Sequence, residues 1–321
     1  MYTSGILTVR ILEKGPTTTQ YENYKFSNSM KVNLALETYL NSFLHKRQSY
    51  PRVRCCGSSK SLYCSECYNL LVPRPNLPLA IQKGHLDLPF DLDIVLNDRR
   101  RSASGIHAAV LIKASQLGRD ESIREGSHVQ IFDVKKGDNL PCYSEHFGEI
   151  NTGTFVLFPS KSSVPISKVA GKLSKLIVLD CKWTRTVTQQ CLPSLVDIPQ
   201  VHLEFPPEES FFWRYHNAGP GMLSTLEAIY FAAFEIMNLK NSFSEDNKNA
   251  LNELMWLFGI QRAAIASSSE REEKPLPFST EGKEYQRNLR RTEKGSEKHL
   301  RDIEKGKKLQ QMKKNGRDCN C

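Results

Sequence analysis

Four cysteines crowd the stretch "RCCGSSKSLYCSEC": Cys55, Cys56, Cys64 and Cys67. Cys64 and Cys67 stand two residues apart, a spacing that lets one backbone loop aim both thiolates at a zinc ion while an upstream pair completes the tetrahedron. A regular upstream pair would begin three residues before Cys56, where Val53 stands. Cys55 must then serve, although adjacent side chains ordinarily point apart, and a three-ligand or metal-free knuckle is the alternative. A different chemistry belongs to "LIVLDCKW", Leu176 to Trp183, where an apolar run ends in Asp180. A carboxylate at the carboxyl end of a strand lies where open α/β sheets bind their ligands. It can act as a base, balance a cation or orient another group; the plainer alternative is a cap on the following helix. In "HNAGPGMLSTLEA", a Gly/Pro loop runs into Ser224 and Glu227, three residues apart as in a capping box. A helix opened there offers backbone donors and a positive dipole end to an anion.

These groups need elements to hold them. Leu223, Leu226, Tyr230, Phe234 and Met237 recur at intervals of three and four, which predicts a helix behind Ser224. "NKNALNELMWLFGIQRAAIA" predicts a second amphipathic helix alongside, and Val32, Leu36, Leu40 and Phe43 an earlier one. Between about 85 and 205, the runs "IHAAVLI", "HVQIFDV", "GTFVLFPS", "KLIVLD" and "QVHLEF" read as strands, with helix-compatible "ISKVAGKLSK" among them. That alternation predicts an α/β domain with a mainly parallel sheet. The expected division is a helical extension over 1–50, a cysteine knuckle over 51–75, the α/β domain over 76–266, and a charged tail over 267–321, extended or helical. About 15 basic and about 10 acidic side chains in that tail give it little to bury.

The 321 residues are 39% hydrophobic, enough for a core, and carry a net charge of +9, which favours a polyanionic partner. Nine cysteines suit metal ligands or thiols in a reducing compartment better than disulfides. Arg10, Glu13 and Lys14 interrupt any signal-peptide core, and no apolar stretch is long enough to cross a bilayer. The expectation is an intracellular protein of nucleus or cytoplasm without stable membrane association. "DRRRSASGIHAAV" sets Arg99, Arg100 and Arg101 together as a phosphate contact or a solvated face. The clusters "RNLRR" and "KGKK" suit unspecific RNA affinity or nuclear import.

Taken in order, "TFVLFPS" (Thr154 to Ser160), "LIVLDCKW", "FFWRYHNAGPGMLSTLEA" and the cysteine knuckle, with "SGIHAAVLI" upstream, resemble the DTW-domain family of tRNA-uridine aminocarboxypropyltransferases, in its eukaryotic type-one branch, over about residues 50 to 262. The resemblance implies a SPOUT-like fold with a knotted carboxyl half. It also implies transfer of the 3-amino-3-carboxypropyl group of S-adenosylmethionine to a uridine of tRNA, with methylthioadenosine released. Asp180 then becomes the catalytic base for the uracil imide, and Trp183 an aromatic plane for adenine, a base or the sulfonium, or else a core anchor. The implied donor pocket comprises Phe158, Pro159, Ser160, Leu179, Arg214, Leu223, Ser224, Thr225 and Glu227, the last either structural or holding the donor ammonium. The residues themselves add expected RNA contacts at Arg99, Arg100, Arg101, His107 and Lys182, with a structural role before the apolar run the alternative for His107. The family signature is Asp-x-Thr-Trp, and Lys182 replaces its threonine here. A weakened tRNA-binding homologue or a SPOUT-type RNA methyltransferase are the competing expectations.

Overall fold

A computed structural model describes residues 33–44, 50–119, 126–141, 143, 153–182, 195–214, 222–239, 245–293, 297 and 304. Trp183, the amino-terminal segment and residues 215–221 of the Gly/Pro loop lie outside these. Residues 33–41 form α1, which buries Leu36 and Leu40 in the main core. A hairpin follows, made of β1 (Val53–Cys55) and β2 (Ser58–Lys60) in antiparallel register, and then a single helical turn, α2 (Leu79–Gln82).

The body is a sheet of six strands: β3 (Asp91–Leu96), β4 (Val129–Asp133), β5 (Thr154–Leu157), β6 (Val164–Pro165), β7 (Lys175–Asp180) and β8 (Gln200–His202). Their order is β4-β3-β7-β5-β8-β6, and every pair is parallel. Pro165, which has no amide to donate, sits on an edge strand as its chemistry requires. The helices are α3 (Ile106–Gln116), α4 (Thr225–Leu239), α5 (Glu245–Leu251), α6 (Trp256–Arg271) and α7, residues 280–293.

Alternation along the strands divides the core. Leu92, Ile94, Leu96, Leu176 and Val178 face the helices, whereas Val95, Val156 and Ile177 face a smaller cluster with Tyr143, Leu195 and Ile198. After β3 the chain crosses to β4 through α3 on the first face. After β7 it reaches β8 through Leu195 and Ile198 on the other. The adjacent carboxyl ends of β3 and β7 therefore lead to opposite faces, which makes this edge-to-edge step the topological switch point of the sheet, the place where open parallel sheets bind ligands.

Three sequence expectations change. "IHAAVLI" is helix α3, not a strand; its residues are buried all round, so no period distinguishes the two, and its alanines favour helix. "ISKVAGKLSK" holds only a short 3-10 turn, Ile166–Val169, before β7 begins. The predicted second helix is broken by another 3-10 turn, Asn252–Met255. There Glu253 turns back to accept the amides of Ala80 and Ile81 at 3.1 and 2.9 Å, capping α2. Beyond 266, α6 continues to Arg271, and part of the charged tail is packed: the guanidinium of Arg262 lies 3.6 Å over the ring of Phe278. In α7, Lys283 donates to Glu209 at 2.7 Å and Gln286 to the carbonyl of Trp213 at 3.2 Å.

Candidate functional site

Asp180 closes β7 on the face turned toward α3 and α4. Its Oδ2 accepts the amide of Gly105 at 2.7 Å, and the Thr225 hydroxyl donates to the same carboxylate. Ser104 Oγ in turn accepts the amide of Leu226 at 3.3 Å. The start of α3, the start of α4 and the tip of β7 thus meet at one carboxylate that is 6% exposed. Burial lifts its pKa to about 6; the donors from Gly105 and Thr225 and the nearby Arg214 pull the other way, and Asp98 adds to the rise. A carboxyl titrating there is ionised at neutral pH yet basic enough to take a proton, as a general base requires. Gly105 has no room for a side chain, since a Cβ would lie 2.7 Å from Asp180 Oδ2 and 3.1 Å from Thr225 Cγ2.

The other expected pocket residues gather around the same end of the sheet. Phe158 to Ser160 leave β5, which pairs with β7, and Phe158 and Leu179 both pack on the smaller core cluster. Leu223 and Ser224 are buried beside Thr225. Arg214 is exposed, its guanidinium 5.6 Å over the ring of Phe212.

The helix start itself departs from expectation. Ser224 and Glu227 form the capping box: Glu227 Oε2 accepts the amide of Ser224 at 2.8 Å, and Ser224 Oγ accepts that of Glu227 at 3.4 Å. The Ser224, Leu226 and Glu227 amides therefore already have protein acceptors, and α4 does not hold out an open cradle to an anion. Glu227 is wholly buried and also accepts the Ser210 hydroxyl at 2.7 Å and the Phe211 amide at 2.6 Å. It is structural and does not reach for an ammonium. Two turns on, Glu235 hooks the same loop through the amides of Glu204 and Phe205, both at 3.0 Å. Replacing Glu227 with alanine strands three buried donors, and a stability loss of about 3–5 kcal/mol is expected in denaturant unfolding.

The four cysteines converge. Their sulfurs lie within 4.8 Å of one another, and those of Cys55 and Cys67 are 3.6 Å apart. Four thiolates at about 2.3 Å from one zinc ion would stand about 3.8 Å apart, so the cluster has the size and donor set for such an ion. The adjacent pair is accommodated by the backbone. Cys56 and Gly57 take φ of 46° and 76°, the pattern of a type I′ hairpin turn, which swings Cys56 off the strand and onto the side of Cys55. Tyr68, just after Cys67, is likewise left-handed at φ 58°. Burial raises the Cys64 thiol, but the amides of Cys67 and Glu66, together with contacts from the Cys67 and Cys55 side chains, bring its pKa down to about 7, readying this sulfur as a ligand.

The expected RNA contacts divide. Arg99, Arg101 and Lys182 are exposed. Arg100 is taken: its Nε donates to Asp133 at 2.7 Å and its Nη1 to the Tyr68 hydroxyl at 2.8 Å, clamping the knuckle to the sheet edge. His107 is 2% exposed, its Nε2 3.1 Å from the Tyr63 hydroxyl, and burial drops its pKa to about 3, so it is a neutral core residue and no nucleotide contact as placed. Sequence reasoning passes over Ser104 and Gly105, because "SASGIHAAV" reads as the approach to a strand; a small-residue run before a helix start is the available signal.

Fold and site define an α/β domain whose all-parallel sheet carries a buried carboxylate at a topological switch point and a four-thiol hairpin beside it. The chain is similar to several named proteins. Over 283 residues the chain is 24% identical to a Rattus norvegicus protein named tRNA-uridine aminocarboxypropyltransferase 1, covering 73% of this chain and 84% of that one. A Xenopus laevis protein of the same name is 23% identical, with 76% and 90% covered, and one from Mus musculus 25%, with 59% and 69% covered. No family model and no solved structure matches the chain.

Proposed function

We propose that this chain transfers the 3-amino-3-carboxypropyl group of S-adenosylmethionine to a uridine of tRNA. The observation that carries the reading is the buried carboxylate of Asp180 at the switch point, in a chain similar along most of its length to transferases with that printed name. The uracil imide nitrogen is a poor nucleophile until its proton leaves. Asp180 takes that proton; the imide nitrogen bonds to the methylene beside the sulfonium, and the carbon–sulfur electron pair stays on sulfur as neutral methylthioadenosine departs. The donor supplies the electrophilic carbon and the leaving group. Phe158, Pro159, Ser160, Leu179, Leu223 and Thr225 would wall the donor, and exposed Arg214 is the group suited to grip its carboxylate, since the Ser224, Leu226 and Glu227 amides are engaged. Trp183, outside the described residues, would supply the aromatic plane, a core anchor being its alternative role. The same reading includes a SPOUT-like, knotted carboxyl half of the DTW type and a structural zinc on Cys55, Cys56, Cys64 and Cys67.

The deciding experiment incubates purified protein with unmodified tRNA and S-adenosylmethionine and looks by mass spectrometry for aminocarboxypropyluridine and methylthioadenosine together. S-adenosylhomocysteine instead would make it a methyltransferase; donor-free tRNA binding with neither product would make it a noncatalytic homologue. Gly105→Ala drives a methyl group into Asp180 and Thr225. It is expected to cost about 1–3 kcal/mol of stability and at least about tenfold in turnover, since a base displaced by a fraction of an ångström loses its alignment.

A further inference from the structure

Between the thiol hairpin and α6 lies a cleft of ≈470 Å³ whose walls carry three cations, Arg52, Lys60 and Arg101, and the hydroxyls of Ser58, Ser59 and Ser61. No carboxylate is among the described residues lining it. Glu66, next in sequence to Ser65 of the lining, is tied to Lys136 at 3.0 Å. The cations come from three separate places: ahead of β1, on β2, and on the loop before α3. Arg52 is held in position by donating to Ser59 Oγ and the Ser59 carbonyl at 3.1 and 2.9 Å. Tyr63, also in the wall, is fixed by Gln261 at 3.5 Å and by His107 at 3.1 Å.

We infer that this cleft is a second binding site, one that grips the phosphodiester backbone of RNA away from the reacting nucleotide. Guanidinium and ammonium groups with fixed hydroxyls are the donors that phosphate oxygens accept, and they position a strand without reading its sequence. Three cations spread over a cleft of that volume exceed what one free phosphate needs and suit consecutive phosphates of a chain. The cleft lies within reach of the Asp180 site: Arg101 stands four residues before Gly105 on one loop, a span of at most about 14 Å. That is on the order of four stacked nucleotides at about 3.4 Å each, so a strand held in the cleft can present a base at the switch point. The inference rests on the part of that reading that makes tRNA the partner, and it makes no use of the transfer chemistry.

The test measures the affinity of the full-length, metal-loaded protein for an unmodified tRNA transcript by fluorescence anisotropy across a salt series, with no donor present. Lys60→Gln with Arg101→Gln is expected to weaken binding at least about tenfold and to flatten log K against log salt by about 1.5, near 0.7–0.9 for each phosphate no longer neutralised. The melting temperature should be unchanged. Lys168→Gln with Lys172→Gln, an equal reduction of charge at the amino-terminal side of β7, should stay within about twofold of the parent. Equal weakening in the two pairs, an unchanged affinity in the first, or a parent protein with no salt-dependent affinity for tRNA would each overturn the inference. The two readings fail separately: no aminocarboxypropyluridine, with the cleft effect intact, removes the transferase and keeps the cleft, whereas full transfer without the cleft effect does the reverse.

Discussion

Asp180→Asn is expected to abolish transfer and, at the same time, to make the protein more stable at alkaline pH. The amide is isosteric: its oxygen can accept from Gly105 and its NH2 can meet the Thr225 hydroxyl, so the junction of β7, α3 and α4 survives. What disappears is the basic carboxylate, and removal of a positioned general base costs about 10²–10⁴ in turnover. The stability change has the opposite sign. Asp180 keeps its proton up to about pH 6 in the fold, against an ordinary value of 3.8. Between those values the native state binds more protons than the unfolded chain, so stability is full below about pH 4 and falls as pH rises to 6. At roughly 1.4 kcal/mol per tenfold difference in proton affinity, the ionised parent gives up on the order of 3 kcal/mol. Melting curves should therefore show the variant above the parent at pH 8 and level with it or below at pH 4. The parent's kcat/KM should climb through pH 6 and then flatten. A variant that retains transfer, or a parent whose rate is flat from pH 5 to 8, would remove Asp180 from the chemistry and leave it a junction residue.

Metal removal is the second large effect. The purified protein is expected to hold about one zinc ion per chain, and chelation should lower its melting temperature by about 10 °C or more, because binding to a preorganised four-thiol site is itself folding energy. The damage spreads beyond the hairpin. Arg100 reaches the carbonyls of Ser65 and Glu66 and the Tyr68 hydroxyl while pairing with Asp133, so a loosened knuckle releases the edge of β4. Cys55→Ser, Cys56→Ser and Cys64→Ser should each weaken metal retention to a similar degree. Full zinc content in Cys56→Ser would reduce the site to three thiols, and thiols that react freely with a disulfide reagent before chelation would mean no ion is held.

Much of the scaffold is readable because its signals are local. The strands ending at Leu157 and Asp180 are apolar runs with clear boundaries, and the capping box at Ser224 follows from two side chains three residues apart. The failures have two causes, both tertiary. "IHAAVLI" is buried on all sides, so its periodicity carries no direction, and reading it as a strand hides the Ser104–Gly105 turn that holds Asp180. The helix start looks open to an anion because a sequence shows which donors a terminus has but not which acceptors the rest of the chain brings to it; Glu227 and Ser104 fill that role in the fold.

The order of residues along the chain settled the parallel α/β plan, the carboxylate at the strand tip, the thiol set and the cap, each of which depends on neighbours a few positions away. Only the folded structure decided that Cys56 turns to face the same point as Cys55, that Arg100 and His107 are spent inside the protein, and that Arg52, Lys60 and Arg101 share one cleft. Those outcomes depend on backbone handedness at single residues and on packing between segments up to about fifty residues apart, which no local pattern encodes.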